Sequence, residues 1–200
     1  MLKQPKIGII DTGVSNNLSK KYNVKEIKFY KNCSGQIESK ETECQDLIGH
    51  GTNCFNILTS LVPNSTFYSI KIFTDKPVCS EDLMIAGILW CIEENIDIVN
   101  ISLGVRTKKI NTTLNDVLWL AYKKNICIVS AVDNMDNLSF PASHPLVFGV
   151  GHLDIENSGY YFYKNSSTQL FLNGSIKITE HEEGSSYAAP KITALIAKYL

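Results

Sequence analysis

Short apolar runs alternate with longer amphipathic stretches along most of this chain. "KIGII" at 6–10 predicts a buried strand that stops at Asp11-Thr12-Gly13, and "TFYSIKIF" at 66–73 predicts another. "SEDLMIAGILWCIEENI" at 80–96 predicts a helix. Its apolar residues recur at three- and four-residue steps, Ser80 stands at the cap position, and Glu81 and Asp82 fill the first turn. "IDIVNISLG" at 96–104 reads as a strand ending in glycine. "TTLNDVLWLAYKKN" at 112–125 reads as a helix with Lys123 and Lys124 in its last turn, where cations favour the dipole. "ICIVSAV" at 126–132 and "LVFGVG" at 146–151 read as strands, and a final helix starts near Ser185. Residues 30–49 are polar and loop-rich, and so are 155–175, where a weak hairpin is concealed.

Strands and helices in this alternation predict an α/β fold with a mostly parallel sheet. The near-continuous apolar strands call for cover on both faces, hence three layers with helices on either side. The length of 200 residues suits a single domain spanning 1–200. Sites in open parallel sheets lie beyond the carboxyl ends of the strands. Asp11, Ser102 to Gly104 and Asn134 stand at or just after such ends.

Composition narrows the function classes. Hydrophobic content of 44% and charged content of 20% describe a soluble globular protein, and a net charge of -1 gives no footprint for nucleic acid. No hydrophobic run approaches the ~20 residues that span a membrane, so no membrane partner is expected. The apolar stretch at 7–10 is shorter than the roughly 7–15 residues of a signal-peptide core, which points to the cytoplasm. Six scattered cysteines, without any C-x-x-C pair, read as reduced and mostly buried thiols. A D-x-D-x-D loop, a G-x-G-x-x-G turn and a P-loop are all missing, so neither a metal nor a cofactor is expected.

Three segments carry candidate chemistry. "IGIIDTGV" places the Asp11 carboxylate at a strand end. "DLIGHGTNCFNILTSL" places His50 between two glycines at the start of a helix. "EEGSSYAAPKITALIAKYL" places Ser185 and Ser186 at the start of the last helix. Asp, His and Ser are the parts of a nucleophilic triad, and their chain order is one of several that build the same geometry.

These segments resemble the three signature blocks of the subtilisin-like serine proteases, the subtilases. "IIDTGV" is similar to the aspartate block, "GHGT" reproduces the histidine block, and "GSSYAAP" is similar to the family's G-T-S-M-A-x-P block. In that last block Ser185 stands for threonine, Ser186 is the nucleophile and Tyr187 stands for methionine. "VNISLG" resembles the family's substrate-binding strand, with Ser102, Leu103 and Gly104 as its edge, and "IVSAVDN" resembles the strand before the oxyanion asparagine. Cys54 falls where one branch of the family has a free cysteine beneath the histidine.

The resemblance implies a serine endopeptidase with Asp11, His50 and Ser186 catalytic. Asn134 and the Ser186 N–H would form the oxyanion hole, and Ser102, Leu103, Gly104, Ala131 and Asp133 would bind substrate. Ser185 takes a structural or capping role. Asp133 stands where glycine is usual and is expected to bias the pocket toward Lys or Arg. Val105 is expected to narrow that pocket or displace the substrate strand, and Asn53, Phe55 and Asn56 to alter the packing behind His50. Glu182 and Glu183 form a solvated loop, and His144, His152 and His181 are surface or core histidines. The partner implied is a peptide or protein substrate. A compact chain that ends on the serine helix also points to a second copy, as a homo-oligomer, or to an activating partner. A pseudoprotease that binds peptides along 102–104 without cleaving them stays open as the alternative.

Overall fold

The computed structural model describes residues 4–43, 45–73, 80–106, 109–134, 138–153, 160–162, 170–172 and 184–200. Nine strands form one sheet. They are β1 (Lys6–Asp11), β2 (Lys25–Lys31), β3 (Ile37–Glu41), β4 (Thr66–Lys71), β5 (Ile98–Ile101), β7 (Cys127–Ala131), β9 (Phe148–His152), β10 (Tyr160–Phe162) and β11 (Leu170–Leu172). Two short strands, β6 (Val105–Arg106) and β8 (Ser139–Phe140), pair separately. The helices are α1 (Asn16–Tyr22), α2 (His50–Leu61), α3 (Glu81–Glu93), α4 (Thr112–Lys123) and α5 (Ser185–Ala197). The sheet order is β10-β11-β9-β7-β5-β1-β4-β2-β3. Neighbours from β11 to β2 run parallel, and the two edge strands pair antiparallel.

Alternation along the strands sorts the core into two layers. Ile10, Ile70, Val99, Ile101 and Ile128 pack with α3 and α4. Ile7, Ile9, Phe67, Ile98 and Val129 pack with α2 and α5. Asp11 continues the Ile7–Ile9 series, so its side chain falls on the α2–α5 face. From β1 the chain first builds the β2–β3–β4 side and then returns to build the β5–β7–β9 side. The reversal lies at β1, and a reversal of strand order opens a crevice at the carboxyl ends. Asp11 and Ser102 therefore sit at its mouth.

Most expected elements form within a few residues of their predicted bounds. The loop-rich reading of 30–49 does not hold, since β2 and β3 make a hairpin there. β3, "IESKE", is exposed along its whole length and carries no apolar alternation, so its pairing left no hydrophobic trace. α1 was also not anticipated; its Tyr22 ring meets Phe55 and Phe67 edge-on. The concealed hairpin at 155–175 appears as β10 paired antiparallel with β11. Ser80 stands at the head of α3 but makes no capping bond through its side chain. At α4 that job falls to Asn111, whose side chain accepts from the Thr113 N–H at 2.8 Å. Of the six cysteines, Cys54 and Cys91 are buried and free, Cys127 is half-buried, and Cys33 is exposed. Cys44, Cys79, His181, Glu182 and Glu183 lie outside the described residues. Among the described residues no helix is long and apolar enough to cross a membrane.

His144 is a core histidine. Its Nδ1 accepts from the Leu146 N–H at 3.2 Å and its Nε2 lies 3.3 Å from Asn115 Oδ1, which requires the neutral Nε2–H tautomer. Burial pushes its pKa below the ordinary histidine value. With the folded value depressed, its contribution to stability is full above the unfolded value of about 6.5 and declines as pH falls from there toward the folded one. His144→Gln is expected to flatten the stability–pH curve between about pH 7 and 5, measured by urea unfolding. An unchanged slope would remove His144 from that account.

Candidate active site

Asp11 ends β1 almost wholly buried, at 1% exposure. A buried carboxylate needs donors. Its Oδ1 accepts from the Thr12 N–H at 2.7 Å and lies 2.7 Å from His50 Nδ1. That contact sets the imidazole tautomer: Nδ1 carries the proton toward Asp11, which leaves Nε2 as the basic nitrogen.

The segment before α2 is tied down from several sides. Asp46 accepts from the N–H groups of Ile48, Gly49 and Thr52, and from the Thr52 hydroxyl at 2.7 Å. Thr52 Oγ1 in turn accepts from the Ser15 N–H at 3.1 Å, and Thr12 Oγ1 accepts from the Gly51 N–H at 2.9 Å. The aspartate and histidine blocks thus exchange hydrogen bonds, and the exposed donors at the head of α2 find side-chain acceptors. Gly51 is required at this crossing, because a side chain there would collide with the Gly13 carbonyl oxygen. Partial burial works to raise the Asp46 pKa, but its four donors outweigh it and hold the carboxyl below the usual range. Asp46 was not singled out from sequence, although its four donors all lie within six residues of it.

Ser186 lies in the first turn of α5. At the head of that helix the Ser185 N–H donates to Asn134 Oδ1 at 2.9 Å, while the Tyr187 and Ala188 N–H groups return to the Gly184 carbonyl. The Ser186 N–H is the remaining donor of this turn without a partner among the described residues. The Ser185 bond also fixes the Asn134 amide: its oxygen faces the helix and its Nδ2–H₂ is left to donate elsewhere. Gly184 permits this approach, with φ of +147° and a would-be side chain only 3.1 Å from Asn134 Nδ2. Gly184, not Ser185, is the cap residue of α5. The Ser185 hydroxyl instead accepts from the His152 N–H at 3.2 Å, which joins α5 to β9.

The Tyr187 ring lies 5.4 Å from the His50 ring at a tilt of 38°. No hydrogen bond joins the Ser186 hydroxyl to His50 among the described contacts; such bonds commonly close only around substrate. Beneath His50, one helical turn on, the Cys54 thiol faces Ser102 Oγ at 3.4 Å and the Ser186 carbonyl at 3.5 Å. That carbonyl is open because Pro190, four residues on, has no N–H to give it. Ligand atoms of Asp11, His50 and Cys54 lie within 4.8 Å of one another. To hold a metal there, Cys54 would first have to lose a proton that burial, and then the Asp11 charge, keep on it.

Leu103, Gly104, Ala131, Asp133, Asn134 and Ser186 line one cavity of about 170 Å³. Ser102 does not reach it; its side chain turns inward and its Oγ accepts from Asn100 Nδ2 at 2.8 Å. Arg106 also lines the cavity and was not singled out from sequence. Its Nε donates to Asp133 Oδ2 at 2.5 Å. The expected pull of Asp133 on Lys or Arg is thereby answered from within the chain. The pairing arises because β6 and β8 fold across the cavity, a contact between two-residue strands that carries no sequence signal. Val105 stands in β6, where it pairs with Phe140.

A model of the subtilase family matches residues 3–200. Subtilisin DY of Bacillus licheniformis is 27% identical over 214 aligned residues, which cover 90% of this chain and 74% of that one. Among solved structures, the prenylagaramide maturation protease PagA superposes with a TM-score of 0.72 at 18% identity, over 98% of this chain and 75% of that one. A lanthipeptide protease gives 0.71 at 14% identity, over 96% and 72%.

Asp46→Ala is expected to cost about 1–2 kcal/mol, since it removes the shared acceptor of four exposed or half-buried donors at the head of α2. The loss should show in urea unfolding at pH 7 and shrink only as pH falls below the ordinary aspartate value of about 3.9 and on through the depressed folded one. A cost below about 0.5 kcal/mol would mean that Asp46 does not organise this turn.

Proposed function

This chain belongs to the subtilase family, and on that premise we propose that it hydrolyses peptide bonds with Asp11, His50 and Ser186 as a catalytic triad. The observation that carries the reading is the buried Asp11 carboxylate 2.7 Å from His50 Nδ1. It supports a histidine whose Nε2 is basic and oriented. His50 takes the Ser186 hydroxyl proton as Oγ attacks the scissile carbonyl carbon. Negative charge then collects on the former carbonyl oxygen, and the Ser186 N–H and Asn134 Nδ2–H₂ are the donors left open to meet it. Collapse expels the amine, which receives the proton from His50. Water, activated by the same imidazole, then releases the acid and frees Ser186. Asp11 stays ionised throughout and stabilises the imidazolium.

Leu103, Gly104, Ala131 and Asp133 form the pocket for the residue before the scissile bond. Ser102 stands beside it with its hydroxyl turned to the Asn100 amide. The Arg106–Asp133 pair makes this a pocket for small or neutral side chains. Free thiols at Cys54, Cys91 and Cys127 support a reducing compartment. Action on precursor or leader peptides in the cytoplasm fits that setting, and proteins of like fold include a maturation protease.

Two measurements test this reading. A fluorophosphonate should label the wild type and Ser185→Ala but not Ser186→Ala; labelling that survives Ser186→Ala would overturn the assignment. An unlabelled but folded wild type would favour a peptide-binding pseudoprotease. In a peptide library the wild type should show no preference for Lys or Arg before the cut. Arg106→Gln, which uncovers Asp133, should shift relative kcat/KM toward basic residues by about tenfold. A basic preference in the wild type would contradict the paired pocket.

A further inference from the structure

Three lysines stand in one row across the sheet. Lys40 of β3 is in register with Lys28 of β2, and Lys28 with Lys71 of β4. Lys71 is in register with Asp11 of β1. Registered neighbours point to the same face and stand about 4.8 Å apart, so the row ends roughly 14 Å from Asp11. Like charges directly opposite one another destabilise a sheet. Asp11 can balance one of the three at most.

The surroundings sharpen the anomaly. Several lysines of this region have carboxylate partners: Lys20 with Glu43, Lys25 with Glu41 and Glu94, and Lys31 with Asp82. Lys28, Lys40 and Lys71 have none among the described residues. Lys71 is only 6% exposed, and its ammonium donates to a single neutral acceptor, the Gln45 carbonyl at 2.6 Å. Buried cations are ordinarily paired. All three lysines line one cavity of about 420 Å³, together with Tyr30, Glu43 and Leu47. Glu43 is held on its other side by Lys20 and by the Asn16 amide. The excess is local, because the whole chain carries a net charge of -1.

We infer that this cavity is an anion-binding site for an acidic side chain of the peptide that occupies the neighbouring cleft. The identity of that peptide as a substrate rests on the peptidase reading; the anion site itself does not. The lysine strands lie on the β4–β2–β3 side of β1, and the Arg106–Asp133 pocket follows β5 and β7 on its other side, so the cavity lies across Asp11 from that pocket. An extended peptide advances about 3.3 Å per residue, so about four residues span the roughly 14 Å from the level of Asp11 to the end of the lysine row. A carboxylate there meets Lys71 from inside and Lys28 and Lys40 from the rim.

Binding to the Ser186→Ala protein tests this without catalysis. The probes are fluorescein-labelled decapeptides of Ala, Ser and Gly with one Glu moved through each position, and their Gln counterparts, read by anisotropy. At low salt one narrow set of Glu positions should bind about tenfold tighter than Gln, and the advantage should shrink at 0.5 M salt. Lys28→Gln with Lys40→Gln, both outside the core, should abolish the advantage without lowering the thermal melting point, since the change relieves like-charge repulsion. Lys71→Met should do the same. Equal binding of Glu and Gln peptides overturns the inference, and so does a preference that survives all three substitutions. Inorganic phosphate that binds the lysines while the Glu peptides show no advantage also overturns it. Fluorophosphonate labelling reports on the peptidase reading separately, so either can fail alone.

Discussion

A carboxylate buried at the end of a central strand is the constraint around which this molecule is arranged. Asp11 cannot stay charged at 1% exposure without donors. Its Oδ1 gathers the Thr12 N–H and the His50 ring, and this demand draws the head of α2 against β1. The hydroxyls of Thr12 and Thr52 then bind across the junction in opposite directions. Gly51 allows the two backbones to meet. One electrostatic requirement thus dictates the residue types of two distant segments.

A second polar thread runs from the core to Ser186. The Thr193 hydroxyl donates to Asn100 Oδ1 at 2.9 Å, Asn100 donates to Ser102, and Ser102 meets the Cys54 thiol, which reaches the Ser186 carbonyl. Asn100 and Thr193 are fully buried. Polar groups at that depth are tolerated only when satisfied, and a satisfied network rigidifies its members. Here it couples α5, β5 and α2, the elements that carry Ser186, the pocket edge and His50. Pro190 contributes by withholding the hydrogen bond that would otherwise occupy the Ser186 carbonyl.

The parallel sheet and the Asp11, His50 and Ser186 segments were legible in sequence for a shared reason. Strands buried on both faces leave continuous apolar runs, and the site residues sit in short glycine-bearing blocks whose chemistry is local. Much of what escaped depended on contacts between segments far apart in the chain. Arg106 takes its meaning from Asp133, a partner that only the fold supplies, whereas Asp46 is a local exception with all four donors within six residues of it. β3 lies at an edge and buries nothing, so no periodicity marked it. The lysine row is visible only in cross-strand register. Ser185 showed a cap's composition, yet the backbone placed Gly184 at the cap and turned the serine to β9.

The central claim is that Ser186, served by His50 and Asp11, forms a covalent acyl-enzyme. The most direct measurement uses an activated p-nitrophenyl ester with rapid mixing, acid quench and peptide mapping by mass spectrometry. The account predicts a p-nitrophenol burst close to one equivalent per active site, with the acyl group on Ser186 and the burst slowed by orders of magnitude in Asp11→Asn. An acyl group found on another residue, or ester turnover indifferent to Asp11, would contradict it.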